Sequence, residues 1–181
     1  MKIDLGCGIR KREGFIGVDS MNFPGVDVLM DAFEYLATLK DESVDEINME
    51  HFVEHFDGAD RVKLFNECFR VLSPSGKINV TCPSWSHERA YGDPTHKWPP
   101  VSQWTFIYLN KEWRDINAPH CGYTCDFNYS LVGSWDPTDA YIQFRSNEVK
   151  QDLMAHNINI TADIIATLNK RRKDDSESSK S

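Results

Sequence analysis

The chain has 181 residues, 40% hydrophobic and 12% aromatic, with 20 basic against 28 acidic side chains and a net charge of −8. That length fits one domain able to bury about 70% of its unfolded surface, so no disulfide staple is needed, and five irregularly spaced cysteines (7, 68, 82, 121, 125) suit the reduced thiols of a cytoplasmic protein. No apolar run approaches the ~20 residues of a membrane span, Met1-Lys2-Ile3-Asp4 opens without an apolar leader core, and the acidic balance weighs against non-specific nucleic-acid binding.

Short β-like runs come early: 1–5, 15–19 and 26–30, each bounded by Gly or Pro, then 44–49 after a helical stretch near 34–40. The clearest helix spans about 60–72, where Val62, Phe65, Phe69 and Leu72 recur at steps of three and four and predict one buried stripe. Ser73-Pro74-Ser75-Gly76 stops it, and residues 77–82 alternate as a fifth strand. From 84 to 113 no period survives; four of the five tryptophans lie there, which predicts an ordered aromatic insertion over the cleft, with at least two tryptophans in a satellite core. Alternation returns around Phe127, Tyr129 and Leu131 and again at Ile142 and Phe144, an expected antiparallel hairpin turning through 134–139. Two helix-like stretches follow, the second carrying Ile164, Ile165 and Leu168. Residues 1–169 are expected to form one domain, and 170–181 a charged, Ser-rich tail without the apolar content to order itself.

Strands alternating with helical stretches and closing on a hairpin predict an α/β sheet, mostly parallel with an antiparallel edge. Ligands of such sheets bind beyond the carboxyl ends of the strands. There, Asp4-Leu5-Gly6-Cys7-Gly8 offers a tight turn with exposed N–H groups, and Asp19 ends the second strand, where a carboxylate can accept from a ribose diol. A dinucleotide is disfavoured: the third glycine of G-x-G-x-x-G is missing, Lys11 standing in its place, and Asp19 follows Gly8 by 11 residues instead of about 20.

These residues carry a resemblance. Asp4-Leu5-Gly6-Cys7-Gly8, Gly17-Val18-Asp19, Met30-Asp31-Ala32, Met49-Glu50-His51-Phe52-Val53-Glu54-His55-Phe56 and Phe69-Arg70-Val71-Leu72-Ser73-Pro74-Ser75-Gly76 occur in the order seen in class I S-adenosylmethionine-dependent methyltransferases, and are similar to the type 11 branch over roughly residues 1–83. The resemblance implies a Rossmann-like three-layer sandwich around a seven-stranded, mostly parallel sheet with an antiparallel last strand. It implies S-adenosyl-L-methionine as cofactor, with Asp4, Gly6, Cys7 and Gly8 at the methionine portion, Asp19 on the ribose hydroxyls, Asp31 by the adenine amino group and Met49 against the adenosyl-methionine body. The chain departs from the family in having almost no helix between strands one and two; Arg10, Lys11 and Arg12 are candidates to supply the charge for the methionine carboxylate, set against the stronger reading of a solvated basic loop. Ser73 and Ser75 also replace the usual Lys and Gly.

Methyl transfer from a sulfonium needs a positioned acceptor and, for an O–H or N–H⁺, a proton acceptor. His96, in Tyr91-Gly92-Asp93-Pro94-Thr95-His96-Lys97, is the first choice for that base, oriented by Asp93, with His51 or His55 as the other candidates. His51-Phe52-Val53-Glu54-His55 matches the inverted zincin pattern, but it follows a strand instead of lying in a long helix, and no metal is expected there. His120, Cys121 and Cys125 lack a second ligand pair for structural zinc. The expected partner is a small-molecule acceptor methylated on oxygen or nitrogen, for a monomer or homodimer. A rival expectation is a non-catalytic cofactor-binding protein that uses 84–113 as an interaction surface.

Overall fold

The computed structural model describes residues 1–121, 127–134, 158 and 161–171. Seven strands form one sheet: β1 (Lys2–Leu5), β2 (Ile16–Asp19), β3 (Val28–Leu29), β4 (Val44–Glu50), β5 (Leu72–Pro83), β6 (Tyr129–Ser134) and β7 (Asp163–Lys170), in the spatial order β3-β2-β1-β4-β5-β7-β6. β1 to β5 are parallel, and β7 is antiparallel to both β5 and β6. The order reverses at β1 and β4, so a crevice opens beyond their carboxyl ends.

Local chemistry explains the elements. Helix α1 (Ala32–Thr38) starts where the Asp31 carboxylate accepts from the amides of Phe33 and Glu34. Helix α2 (Gly58–Val71) is capped by Asp57 in the same way. Its buried face differs from the predicted stripe: Arg61, Leu64, Phe65, Cys68 and Val71 are buried, while Val62 and Phe69 flank them and Leu72 already begins β5. Cys68 packs as a small hydrophobe, and Arg61 is buried because carbonyls take its donors, so hydrophobicity alone misplaces the stripe. β5 starts five residues early, through the Ser73–Gly76 segment, with a register irregularity between Val44 and Glu46 absorbing the extra length.

Two expectations at the carboxyl end are corrected. Ile164, Ile165 and Leu168 lie in strand β7, not a helix. Side chains alternate across β7 with Ile164, Ala166 and Leu168 buried, which a short apolar run does not reveal. β6 therefore takes β7 as its antiparallel neighbour; the strand expected near Ile142 and Phe144 lies outside the described residues. Nor does the tail begin at 170. Lys170 pairs with Tyr129, its Nζ donates to Leu72 O over 2.7 Å, and Arg171 bonds Asn128 O and Glu112. Residues 172–181 lie outside the described residues.

The insertion is ordered, with three short helices: α3 (Arg89–Gly92), α4 (Gln103–Ile107) and α5 (Lys111–Asn117), the last running past its predicted end at 113. Its tryptophans make no buried satellite core. Trp85, Trp98 and Trp104 are exposed, and Trp104 leans on Trp113, which in turn meets Tyr108 edge-on. No helix among the described residues is long and apolar enough to cross a membrane.

Candidate functional site

The connection from β1 to β2 contains no helix, and polar side chains hold it instead. Asp4, 2% exposed, accepts from the Arg12 amide (2.8 Å) and from Asn48 Nδ2 (2.7 Å), while Arg12 Nη1 donates to Asn48 Oδ1 (2.9 Å). Lys11 Nζ bridges both oxygens of Asp27 at 3.0 and 2.9 Å. Asp27 also accepts from the Gly17 amide, and that bond together with Lys11 holds its carboxyl below the usual range. Lys11 and Arg12 are thus consumed by the fold. Arg10 is the basic residue of this loop that reaches the cavities.

The glycine turn is tightly shaped. Gly6 sits at φ +66°, its amide on Val18 O, and a Cβ there would lie 2.2 Å from Cδ2 of Phe52. Only glycine permits both the left-handed backbone and the phenyl ring beside it. The Gly8 amide donates to Asp19 Oδ2 and the Met21 amide to Asp19 Oδ1, both at 2.8 Å. Cys7 is buried in the turn, and burial, with the carboxylates of Asp4 and Asp19 adding to it, pushes its thiol pKa up to about 11.

Three cavities lie along the carboxyl ends of the strands. One of about 530 Å³ is lined by Gly6, Asp19, Met30, Asp31, Phe52 and Phe56 among others. A second, of about 320 Å³, has Asp4, Cys7, Gly8, Arg10 and Phe23. The third, of about 810 Å³, lies under the insertion, walled by Arg10, Glu54, His55, Arg89, Asp93 and His96. His51 lines all three. It leaves β4 at φ +52°, a left-handed conformation uncommon for a side-chain-bearing residue, with its amide on Thr81 O (2.8 Å). Its Nδ1 stands 3.3 Å from Glu54 Oε1, and that carboxylate raises the imidazole pKa against partial burial.

Most of the sequence-predicted positions converge here. Asp4, Gly6, Cys7, Gly8, Asp19, Asp31, His51, Asp93 and His96 all line one or more of the three cavities. Met49 does not. It is fully buried in the core opposite Val80, because the strand's alternation turns it inward, and His51 and Phe52 stand at the cleft instead. The expected Asp93–His96 dyad is not hydrogen-bonded either: Oδ2 is 3.9 Å from Nε2, beyond bonding distance. Asp93 Oδ1 is held by the Thr95 amide and hydroxyl, which keep its carboxyl below the usual range, and His96 is oriented through Nδ1 by the Ala90 carbonyl at 3.3 Å.

Several site residues escaped sequence reasoning. Phe52 packs edge-on against Phe56, which meets Phe33 likewise, giving the 530 Å³ cavity an aromatic wall. Arg89 pairs with Asp163 at the start of β7 (3.0 Å), a contact across 74 residues that no local spacing signals. Glu54, 4% exposed, accepts no hydrogen bond at either oxygen.

The fit to an adenosyl group can be read from these walls. A planar base suits the apolar side formed by Val18, Met30 and Phe52, and Asp19 and Asp31 offer carboxylate oxygens to hydroxyl and amino donors. Residues 8–80 match the family model described as a methyltransferase domain. The matched segment is thus a methyltransferase domain of the type 11 branch, and the sheet has the fold of class I S-adenosylmethionine-dependent methyltransferases. It is an enzyme, and its cofactor is S-adenosylmethionine. No curated protein sequence matches it. Among solved structures, the methyltransferase is similar in fold to a SAM-dependent methyltransferase from Archaeoglobus fulgidus (22% identity over 93% of this chain and 85% of that one, TM-score 0.61). It is also similar to a possible histamine N-methyltransferase from Thermotoga maritima (14% identity, 94% and 82% coverage, TM-score 0.55). A third similar fold is the 1,6-didemethyltoxoflavin-N1-methyltransferase of Burkholderia thailandensis (11% identity, 94% and 71% coverage, TM-score 0.54).

Proposed function

We propose that the protein methylates an oxygen or nitrogen of a small molecule held in the 810 Å³ cavity, with His51 as proton acceptor. The observation that carries this reading is the position of His51, which among the described residues is the one that lines all three cavities. When bound, S-adenosylmethionine supplies an activated methyl group and leaves as the neutral thioether.

The chain's own residues do the rest. Asp19 and Asp31 hold the ribose and adenine ends, and Arg10 takes the methionine carboxylate, since Lys11 and Arg12 are engaged elsewhere. The ring of Phe52 closes one side of the cavity that Gly6 opens. His96, Asp93 and Arg89 line the acceptor side and position the substrate. Neutral His51 takes the acceptor's proton, and the Glu54 carboxylate beside Nδ1 stabilises the imidazolium that results. Two of the similar folds bear the names of small-molecule N-methyltransferases, in keeping with an acceptor of that size.

The test is incubation of the full chain with methyl-labelled cofactor and a metabolite mixture, reading adenosylhomocysteine and the labelled product. His51→Asn should lower turnover by ~10²–10⁴-fold with cofactor affinity little changed. Wild-type turnover retained in His51→Asn would overturn the assignment of the base.

A further inference from the structure

We propose that Glu54, His55 and His96 form a binding site for a single divalent transition-metal ion, of the zinc class, in the wall of the acceptor cavity. One ligand atom from each of the three lies within 4.8 Å of the others, and all three residues line the 810 Å³ cavity. The sequence pointed elsewhere, to His51 and His55 in the inverted zincin pattern, and led to the expectation of no metal. The fold instead pairs His55 with a histidine 41 positions away.

The hydrogen bonds around the two imidazoles set their tautomers. Thr95 has one hydroxyl proton, and Asp93 Oδ1 takes it at 2.7 Å, so the contact between Thr95 Oγ1 and His55 Nδ1 (3.1 Å) has the ring as donor. A carbonyl can only accept, so the 3.3 Å contact with Ala90 O puts the proton of His96 on Nδ1. Both rings are left with an Nε2 lone pair. That is the arrangement of ligating histidines, whose other nitrogen is fixed by a carbonyl or another outer acceptor. The rings meet edge to face with centroids 5.0 Å apart.

Glu54 is the independent observation. Its Oε2 is buried without a partner and its Oε1 has only the His51 imidazole, 3.3 Å away, so the buried carboxylate keeps a face free for a cation. Arg61 spends its donors on the carbonyls of Val53, Lys97 and Pro99, so no guanidinium hydrogen bond reaches Glu54. Two imidazoles and a carboxylate are the donor set of zinc sites with an open position. Ligands about 2.0–2.2 Å from a tetrahedral ion stand about 3.4 Å apart, so side-chain rotations of about an ångström close the site. The open position faces the acceptor cavity, where water or an acceptor oxygen completes the coordination. The cation site itself does not depend on the methyl-transfer reading.

The experiment titrates zinc chloride into the full-length, chelator-treated protein without cofactor or acceptor, by calorimetry, with cobalt(II) absorption as a second readout. One equivalent should bind. Glu54→Gln and His96→Ala should each weaken binding by at least about 10-fold, while His120→Ala, on an exposed residue beside Cys121, should bind as wild type does. Because Glu54 is buried, circular dichroism checks each variant, and His96→Ala carries the test if Glu54→Gln unfolds. Failure of wild type to bind one equivalent, unchanged affinity in the folded cluster variants, or loss confined to His120→Ala would overturn the proposal.

Discussion

The amide of Lys97 donates to the carbonyl of Glu54 over 2.8 Å, joining the insertion to the turn after β4. Arg61 of α2 reinforces the joint, its guanidinium reaching the carbonyls of Val53, Lys97 and Pro99. This clasp sets His96 beside His55 and closes the 810 Å³ cavity over the carboxyl end of the sheet.

Removing the clasp should therefore act on the cavity more than on the cofactor. Arg61→Ala removes a buried guanidinium and its bonds to the carbonyls of Val53, Lys97 and Pro99, and should cost about 2–4 kcal/mol. At this chain length that lowers Tm by roughly 5–15 °C in a thermal melt. Acceptor turnover should fall with it, while calorimetric affinity for S-adenosylmethionine should stay within a few-fold; a matching collapse of cofactor affinity would show the clasp supports both sides.

The two turn glycines should respond differently to alanine. Both sit at positive φ, but a Cβ at Gly8 meets nothing within 4 Å, whereas one at Gly6 strikes the Phe52 ring. Gly8→Ala should cost only the left-handed backbone, about 1–2 kcal/mol. Gly6→Ala should cost about 2–4 kcal/mol because overpacking adds to it. Adding Phe52→Ala should recover part of that loss in chemical denaturation; no recovery would mean the ring is not the obstacle.

Asp19 has two duties, bonding the Gly8 and Met21 amides and facing the cavity. Asp19→Ala should weaken cofactor binding by roughly 10- to 150-fold and cost about 1–2 kcal/mol of stability. Unchanged affinity with a collapsed melting temperature would leave it a purely structural residue.

Cys7 gives the pH signature. Its folded pKa of about 11 stands above the reference 9.0, so the folded state keeps a proton that the unfolded chain releases. The associated stability is whole below pH 9 and is lost as pH rises through about 11. Alkylation by iodoacetamide at pH 8 should be slow compared with a free thiol and should accelerate toward pH 11. Fast labelling at pH 8 would place the thiol in a different environment.

Two truncations should separate the end of the sheet from the charged carboxyl-terminal segment. Ending the chain at Asn169 removes the Lys170–Leu72 and Arg171–Asn128 bonds and should cost about 1–3 kcal/mol. Ending it at Arg171 removes only a charged, Ser-rich segment and should leave denaturation midpoints unchanged.

Local patterns in the sequence determined the strand positions of the amino-terminal half, the stop after α2 and the glycine turn. These depend on neighbours within a few residues, which is where dihedral preference, capping and alternation act. The ordered motifs likewise pointed to the methyltransferase domain that matches residues 8–80 and, through it, to the cofactor. What tertiary structure decided depends on distance in space. Met49 went to the core because pleating and pairing orient a side chain that composition leaves free. Residues 163–170 became a strand because β5 and β6 leave a gap only an extended segment fills. The joining of Glu54, His55 and His96 needed the Lys97–Glu54 and Arg61 bonds, which link segments about 40 residues apart. No periodicity encodes a contact of that kind, since the chain between its ends is free to take many paths until packing selects one.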